Sequence, residues 1–152
     1  MEIDAKDLRI GDIVRTLDEN GNLKTCKVTG IDAETCHNSK TRGFLIGAVK
    51  LRPFDLPDDE PSDAKWCKDV APINLTCDIL KKNGFENRYK GLYVKEYAKG
   101  RFLSVEYGYD NGCRTFLKQQ TSTSYVRIGN TNYVHQLQHC LWLLGLDAKM
   151  EV

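Results

Sequence analysis

None of the six cysteines, Cys26, Cys36, Cys67, Cys77, Cys113 and Cys140, forms a C-x-x-C pair. That removes the zinc-knuckle and thioredoxin patterns. No Gly-rich loop runs into Gly-Lys-Ser/Thr or into a helix start, so a P-loop phosphate cradle is missing. Charge of one sign is missing too, with 22 Lys+Arg against 21 Asp+Glu. Such a chain has no whole-molecule field to draw in nucleic acid or an acidic membrane. Long hydrophobic runs are absent: the most apolar stretch near the end, Leu141 to Leu146, is far too short to span a bilayer. The first residues, MEIDAKDLR, are charged and lack an apolar core, so no secretory signal is expected. These absences point to a soluble cytoplasmic protein with no membrane segment and no cofactor. Its thiols are then reduced, serving as small buried hydrophobes or tolerated surface groups.

What is present is enough chain, 152 residues, to bury a core as one domain or two small ones. The longest periodic signal is Asn130 to Asp147. Tyr133, Leu137, Cys140, Leu141 and Leu144 recur at helical spacing. Asn130 or Thr131 is placed to cap its start, and Gly145 to end it.

Residues 1–56 read as short strands with turns. Ile10-Gly11-Asp12 is a turn before a strand. Glu19-Asn20-Gly21-Asn22 is a hairpin signal, because Asn and Gly tolerate positive φ. Leu23 to Ile31 and Phe44 to Leu51 are further strands, separated by a polar turn at 38–43 and stopped by Pro53. This spacing suggests a small, SH3-like β-barrel. Residues 57–71 read as an acidic linker, with Pro57 and Pro61 as breakers. Trp66 within it is either an anchor packed back on a domain or an exposed partner-binding residue; large aromatics favour the first.

Residues 72–152 read as helix, antiparallel meander, helix. Thr76 caps a short helix, Leu75 and Leu80 are spaced for a hydrophobic staple, and Asn83-Gly84 ends it. The candidate strands are Leu92 to Tyr97, Arg101 to Tyr107, Cys113 to Leu117 and Tyr125 to Ile128. Ala98-Lys99-Gly100 and Asp110-Asn111-Gly112 are the turns. Both helices are expected to cover one face of this sheet. The fold class is therefore α+β: an SH3-like barrel followed by a helix–meander–helix unit.

Three constellations carry possible chemistry. His135 and His139 share a helix face beside Cys140, as metal ligands would. The spacing supplies no third ligand, though Cys36-His37 offers one through a tertiary contact, and an ordinary helix flank is favoured. A Cys–His nucleophile pair has no supporting elbow or oxyanion loop. Lys81 to Arg101 is rich in cations with interleaved rings. Lys95, Lys99 and Arg101 with Tyr89, Tyr93 and Tyr97 would suit phosphate contact and base stacking. A solvated strand face is the plainer reading.

DLRIGDIV, PINLTCDILKKNGF and YVHQLQHCLWLLGLD together resemble an uncharacterised family from gut-bacterial genomes, their phages and mobile elements. Its members carry a similar "PIPLT…LL..GF" segment and a closing "YVHQLQN…LTG" helix. His139 stands where the family has Asn, and the acidic insert around Pro57–Asp69 departs from its pattern. The resemblance implies a small intracellular accessory protein and brings no activity, cofactor or functional residue. The expected function is non-enzymatic binding of a host or phage protein. Nucleic-acid binding is the alternative, and a metal- or Cys-dependent enzyme the third.

Overall fold

The computed structural model describes residues 3, 5–35, 45–57, 61–109, 112–119, 121 and 123–152. Cys36, His37, the turn at 38–43, Phe44, the acidic residues 58–60 and the Asp110-Asn111 turn lie outside them. Among the described residues, two antiparallel five-stranded sheets and two α-helices make this an α+β protein. The chain divides into two compact units, Met1–Ile73 and Asn74–Val152. No helix among the described residues is long and apolar enough to cross a membrane.

In the first unit β1 (Ile13–Leu17) and β2 (Leu23–Thr35) form the hairpin expected at Glu19 to Asn22. Asp18 holds this turn by accepting from the amides of Asn20 and Asn22, at 2.9 and 2.8 Å. β2 pairs with β3 (Leu45–Pro53), which pairs with β4 (Asp63–Trp66). A 3-10 turn at Cys67–Asp69 leads to β5 (Val70–Pro72), which returns to pair with β1. The sheet order is β4-β3-β2-β1-β5. In a flat sheet the edges β4 and β5 would lie about 19 Å apart, at ~4.8 Å per strand. The four steps from Trp66 to Val70 span at most about 14 Å. The sheet must therefore curl, bringing its edges together around a core of Leu8, Val14, Cys26, Val28, Val49, Leu51, Cys67 and Val70.

The 57–71 stretch is corrected by this topology: it is not a linker throughout. β4, the 3-10 turn and the start of β5 are edge elements of the first sheet. Cys67 and Val70 enter the core, Thr16 Oγ1 donates to Asp69 O at 3.0 Å, and Thr29 Oγ1 donates to Ser62 Oγ at 2.7 Å.

The second unit opens with α1 (Cys77–Lys82). The Thr76 hydroxyl accepts from Ile79 N at 3.2 Å, Leu75 and Leu80 are both buried, and Gly84 ends the helix at φ +78°. The meander follows as β6 (Glu86–Tyr89), β7 (Leu92–Ala98), β8 (Arg101–Tyr109), β9 (Gly112–Gln119) and β10 (Tyr125–Asn130), in sequential order. β6 escaped sequence reading because its four residues, Glu-Asn-Arg-Tyr, are polar and exposed.

α2 spans Val134–Leu143, shorter than the expected Asn130–Asp147. Its cap is Tyr133, not Asn130 or Thr131. Thr131 is committed to a buried hydroxyl pair with Thr115, and Asn132 Oδ1 accepts from Cys113 N at 2.9 Å. Gln136 takes over the capping duty: its Oε1 accepts from the amides of Asn132 and Tyr133, at 2.8 and 3.3 Å. Gly145, at φ +69°, does end the helix. The tail then returns to α1. Gln138 Nε2 donates to Ala148 O at 3.0 Å, and Asn83 exchanges bonds of 2.8 and 2.9 Å with the Glu151 backbone.

Candidate functional site

The second sheet has two unequal faces. Tyr93, Leu103, Val105, Cys113 and Thr115 are buried on one. This face carries the helices: the Tyr93 hydroxyl bonds Cys77 on α1, and Lys95 Nζ donates to Asn83 O at 2.9 Å. Val134, Leu137 and Leu141 supply the buried stripe of α2.

The opposite face is uncovered by either helix. Residues directly opposite on neighbouring strands share a face, so the register arranges it in rows across the strands. Glu96, Phe102, Lys118 and Tyr125 make the first row. Glu86, Val94, Ser104, Phe116 and Arg127 make the second. Tyr89, Leu92, Glu106, Arg114 and Asn130 make the third. Eight of these line a groove of about 550 Å³: Leu92, Val94, Phe102, Ser104, Glu106, Phe116, Lys118 and Tyr125. The rings of Phe116 and Tyr125 meet edge to face with centroids 6.3 Å apart. Lys118 Nζ sits 5.0 Å from the Tyr125 ring centroid, within cation–π range. Apolar and aromatic groups thus form the floor and charges the rim.

The nucleic-acid set expected from sequence is not gathered on one surface. Tyr93 is 4% exposed against the helix side, while Tyr89 is 77% exposed on the other. Lys95 points to the helix side, binding the end of α1 and lying 5.7 Å from the Phe85 ring. Lys99 and Arg101 are exposed at the β7–β8 turn, and Tyr97 is half-buried. Alternation along β7 divides Tyr93 and Lys95 from the open face. Trp66 is 50% exposed on edge strand β4, so it is not a fully packed anchor.

His135 is buried, stacks on Tyr133 at 5.8 Å and meets the His139 ring edge-on at 5.8 Å. Cys140 is buried on the same helix. Among the described residues no three His, Cys, Asp or Glu side chains converge as metal ligands would. The five described cysteines are free thiols. Burial pushes the Cys26 and Cys140 thiols up, and Cys113 up to about 11. A thiol held protonated is a weak nucleophile.

The floor residues Phe116 and Tyr125, and the rim residues Lys118 and Arg127, were missed from sequence. The signal available was alternation, which marks Phe102, Ser104 and Glu106 as one face of β8 without saying which face the helices take. Fold and groove together define a mixed α+β protein with one open sheet face. No protein-family model, curated protein or solved structure matches the chain.

Proposed function

We propose that this is a non-enzymatic interaction protein and that a protein partner docks on the open face of the second sheet. The observation that carries this reading is the groove itself: rings and aliphatics ringed by charges, on a sheet whose other face buries Tyr93, Leu103, Val105, Cys113 and Thr115. Aromatic floors with polar rims are the common make-up of protein interfaces. The raised pKa values of Cys26, Cys113 and Cys140 disfavour those three thiols as nucleophiles. The short crossing from β4 through a 3-10 turn to β5 favours an SH3-like barrel for the first unit. The resemblance to gut-bacterial and phage proteins favours a cytoplasmic, mobile-element setting. Its motif residues, Ile73, Leu75, Leu80, Phe85, Val134 and Leu137, are all buried, so they specify packing rather than the contact surface.

Capture from a bacterial lysate, with and without nuclease, tests this reading. The expected result is a stoichiometric protein that survives nuclease and is lost with Phe116→Asp. Retention of the same proteins by Phe116→Asp, or turnover of a substrate panel abolished by a point variant, would overturn it.

A second reading, nucleic-acid binding, is favoured by one observation: the Lys118 ammonium over Tyr125, beside Phe116 and Arg127. It calls for salt-sensitive oligonucleotide binding that Lys118→Gln with Arg127→Gln weakens. Neutralising Lys95, Lys99 and Arg101 together is a poor probe, because Lys95 secures α1.

A further inference from the structure

Charge is not scattered over the open face. Each row runs from a carboxylate to a cation in the same direction: Glu96 to Lys118, Glu86 to Arg127, Glu106 to Arg114. The carboxylates belong to β6, β7 and β8, and the cations to β9 and β10. Arg88 is the exception, bridged to Glu86 at 2.8 Å. Between the charges lie Val94, Phe102 and Phe116.

Such a gradient complements its own image. We propose that the open face takes a second copy of this chain, in a two-fold sheet-on-sheet dimer whose axis runs along β8. This rests on the reading of that face as the contact surface. A two-fold axis along the central strand maps β7 onto β9 and β6 onto β10 while keeping each row in place. Glu96 of one copy then faces Lys118 of the other, twice per dimer. Glu86 faces Arg127, Val94 faces Phe116, and the two Phe102 rings meet on the axis. The two Glu106 carboxylates also approach the axis, each beside its own cross-strand Arg114. Turning the axis across the strands at the middle row instead would set Glu86 on Glu86, Arg127 on Arg127 and Lys118 on Arg114. Aligned sheet packing tolerates this arrangement, because strands of packed sheets keep within about 30° of one another.

A nucleic acid fits the face less well, since three carboxylates line the path its phosphates would take. Size sets the expected strength. Nine residues of β8 give ~30 Å and five strands ~20 Å, so the pair buries about 1,200 Å² in all. That is the lower end of stable interfaces, so a reversible dimer is expected rather than a permanent one.

Sedimentation velocity of the whole protein across a broad dilution series tests this. Wild type is expected to pass from monomer to dimer as concentration rises. Glu96→Lys and Lys118→Glu are each expected to weaken the dimer at least about tenfold, since both pairs become like-charged. Mixing the two variants restores both pairs, so dimer is expected to reappear as the mixed species. That recovery also shows that each variant is folded. Glu86→Lys with Arg127→Glu repeats the design in the second row. A wild type that stays monomeric, variants that dimerise like wild type, or a mixture that stays monomeric would each overturn the proposal. So would a monomer that binds an oligonucleotide on this face. A monomeric wild type whose captured partner is still lost with Phe116→Asp would sink the dimer alone and leave the docking face standing.

Discussion

The two faces of the β6–β10 sheet are built from alternate residues of the same strands, yet they do different work. Leu103 and Phe102 are neighbours on β8. Leu103 is 0% exposed, while Phe102 lines the open groove. On the covered face, polar groups are drawn into bonds with the helices and their flanks: Tyr93 to Cys77, Lys95 to Asn83 and Thr115 to Thr131. On the open face, polar groups sort by sign across the strands. A sheet with one face spent on its own core has the other available for a partner, and hydrophobicity alone does not tell the two apart.

The sharpest test of that contrast is a pair of truncations. Leu103→Ala should cost about 3 kcal/mol, because a buried leucine leaves a cavity. Phe102→Ala should cost less, about 1 kcal/mol, since its ring is partly exposed in the groove. Urea unfolding followed through Trp142 of the second unit, with Trp66 replaced by Phe, reads this difference. Equal costs would mean that the groove face is packed after all.

A smaller loss is expected where the covering helix ends. Gly84→Val forces a β-branched residue to φ +78° and should cost about 2 kcal/mol. The same melt reads it, and an unchanged midpoint would show that the left-handed turn can be rebuilt. Asn83→Ala removes the side chain that bonds Ile79 O at 2.7 Å and both backbone groups of Glu151. About 1–2 kcal/mol is expected, with the tail amides near Glu151 exchanging faster than those of β8 in hydrogen exchange.

The gentlest probe is pH. Burial raises the Cys113 thiol from its ordinary 9.0 to about 11, and raises Cys140 from its ordinary value. The folded state therefore holds these protons after the unfolded chain has released them. Their contribution is complete below about pH 9 and declines as pH rises toward 11. The urea midpoint should be flat from neutral pH to 9 and then fall, and Cys113→Ala should flatten that fall. A midpoint that rises there would contradict the sign.

Local chemistry was readable where it acts over a few residues. Thr76, Leu75, Leu80 and Gly84 marked α1 because a cap, a staple and a left-handed stop all lie within one turn or two of the helix. The hairpin at Gly21 was readable for the same reason. The stretch from Asp63 to Pro72 was misread because its strands, four and three residues long, owe their conformation to β3 and β1, not to any pattern of their own. α2 shows both sides. Its apolar spacing was plain and Gly145 does end it, but Thr131 and Asn132 are spent on β9 and Gln136 caps in their place.

Composition and spacing were enough to establish a mixed α+β chain with a meander between two helices, because turn glycines and helical periodicity are properties of short segments. They left open which side of the meander the helices take. Phe102, Ser104, Glu106 and Leu103, Val105, Tyr107 are both plausible stripes, and only the bonds of Tyr93 and Lys95 to α1 and its end, with the Thr115–Thr131 pair that leads into α2, decide between them. The sorting of charge on the remaining face was equally out of reach. It depends on register, which sets residues dozens of positions apart, such as Glu86 and Arg127, into one row. Register comes from hydrogen bonds between strands, and no strand carries it alone.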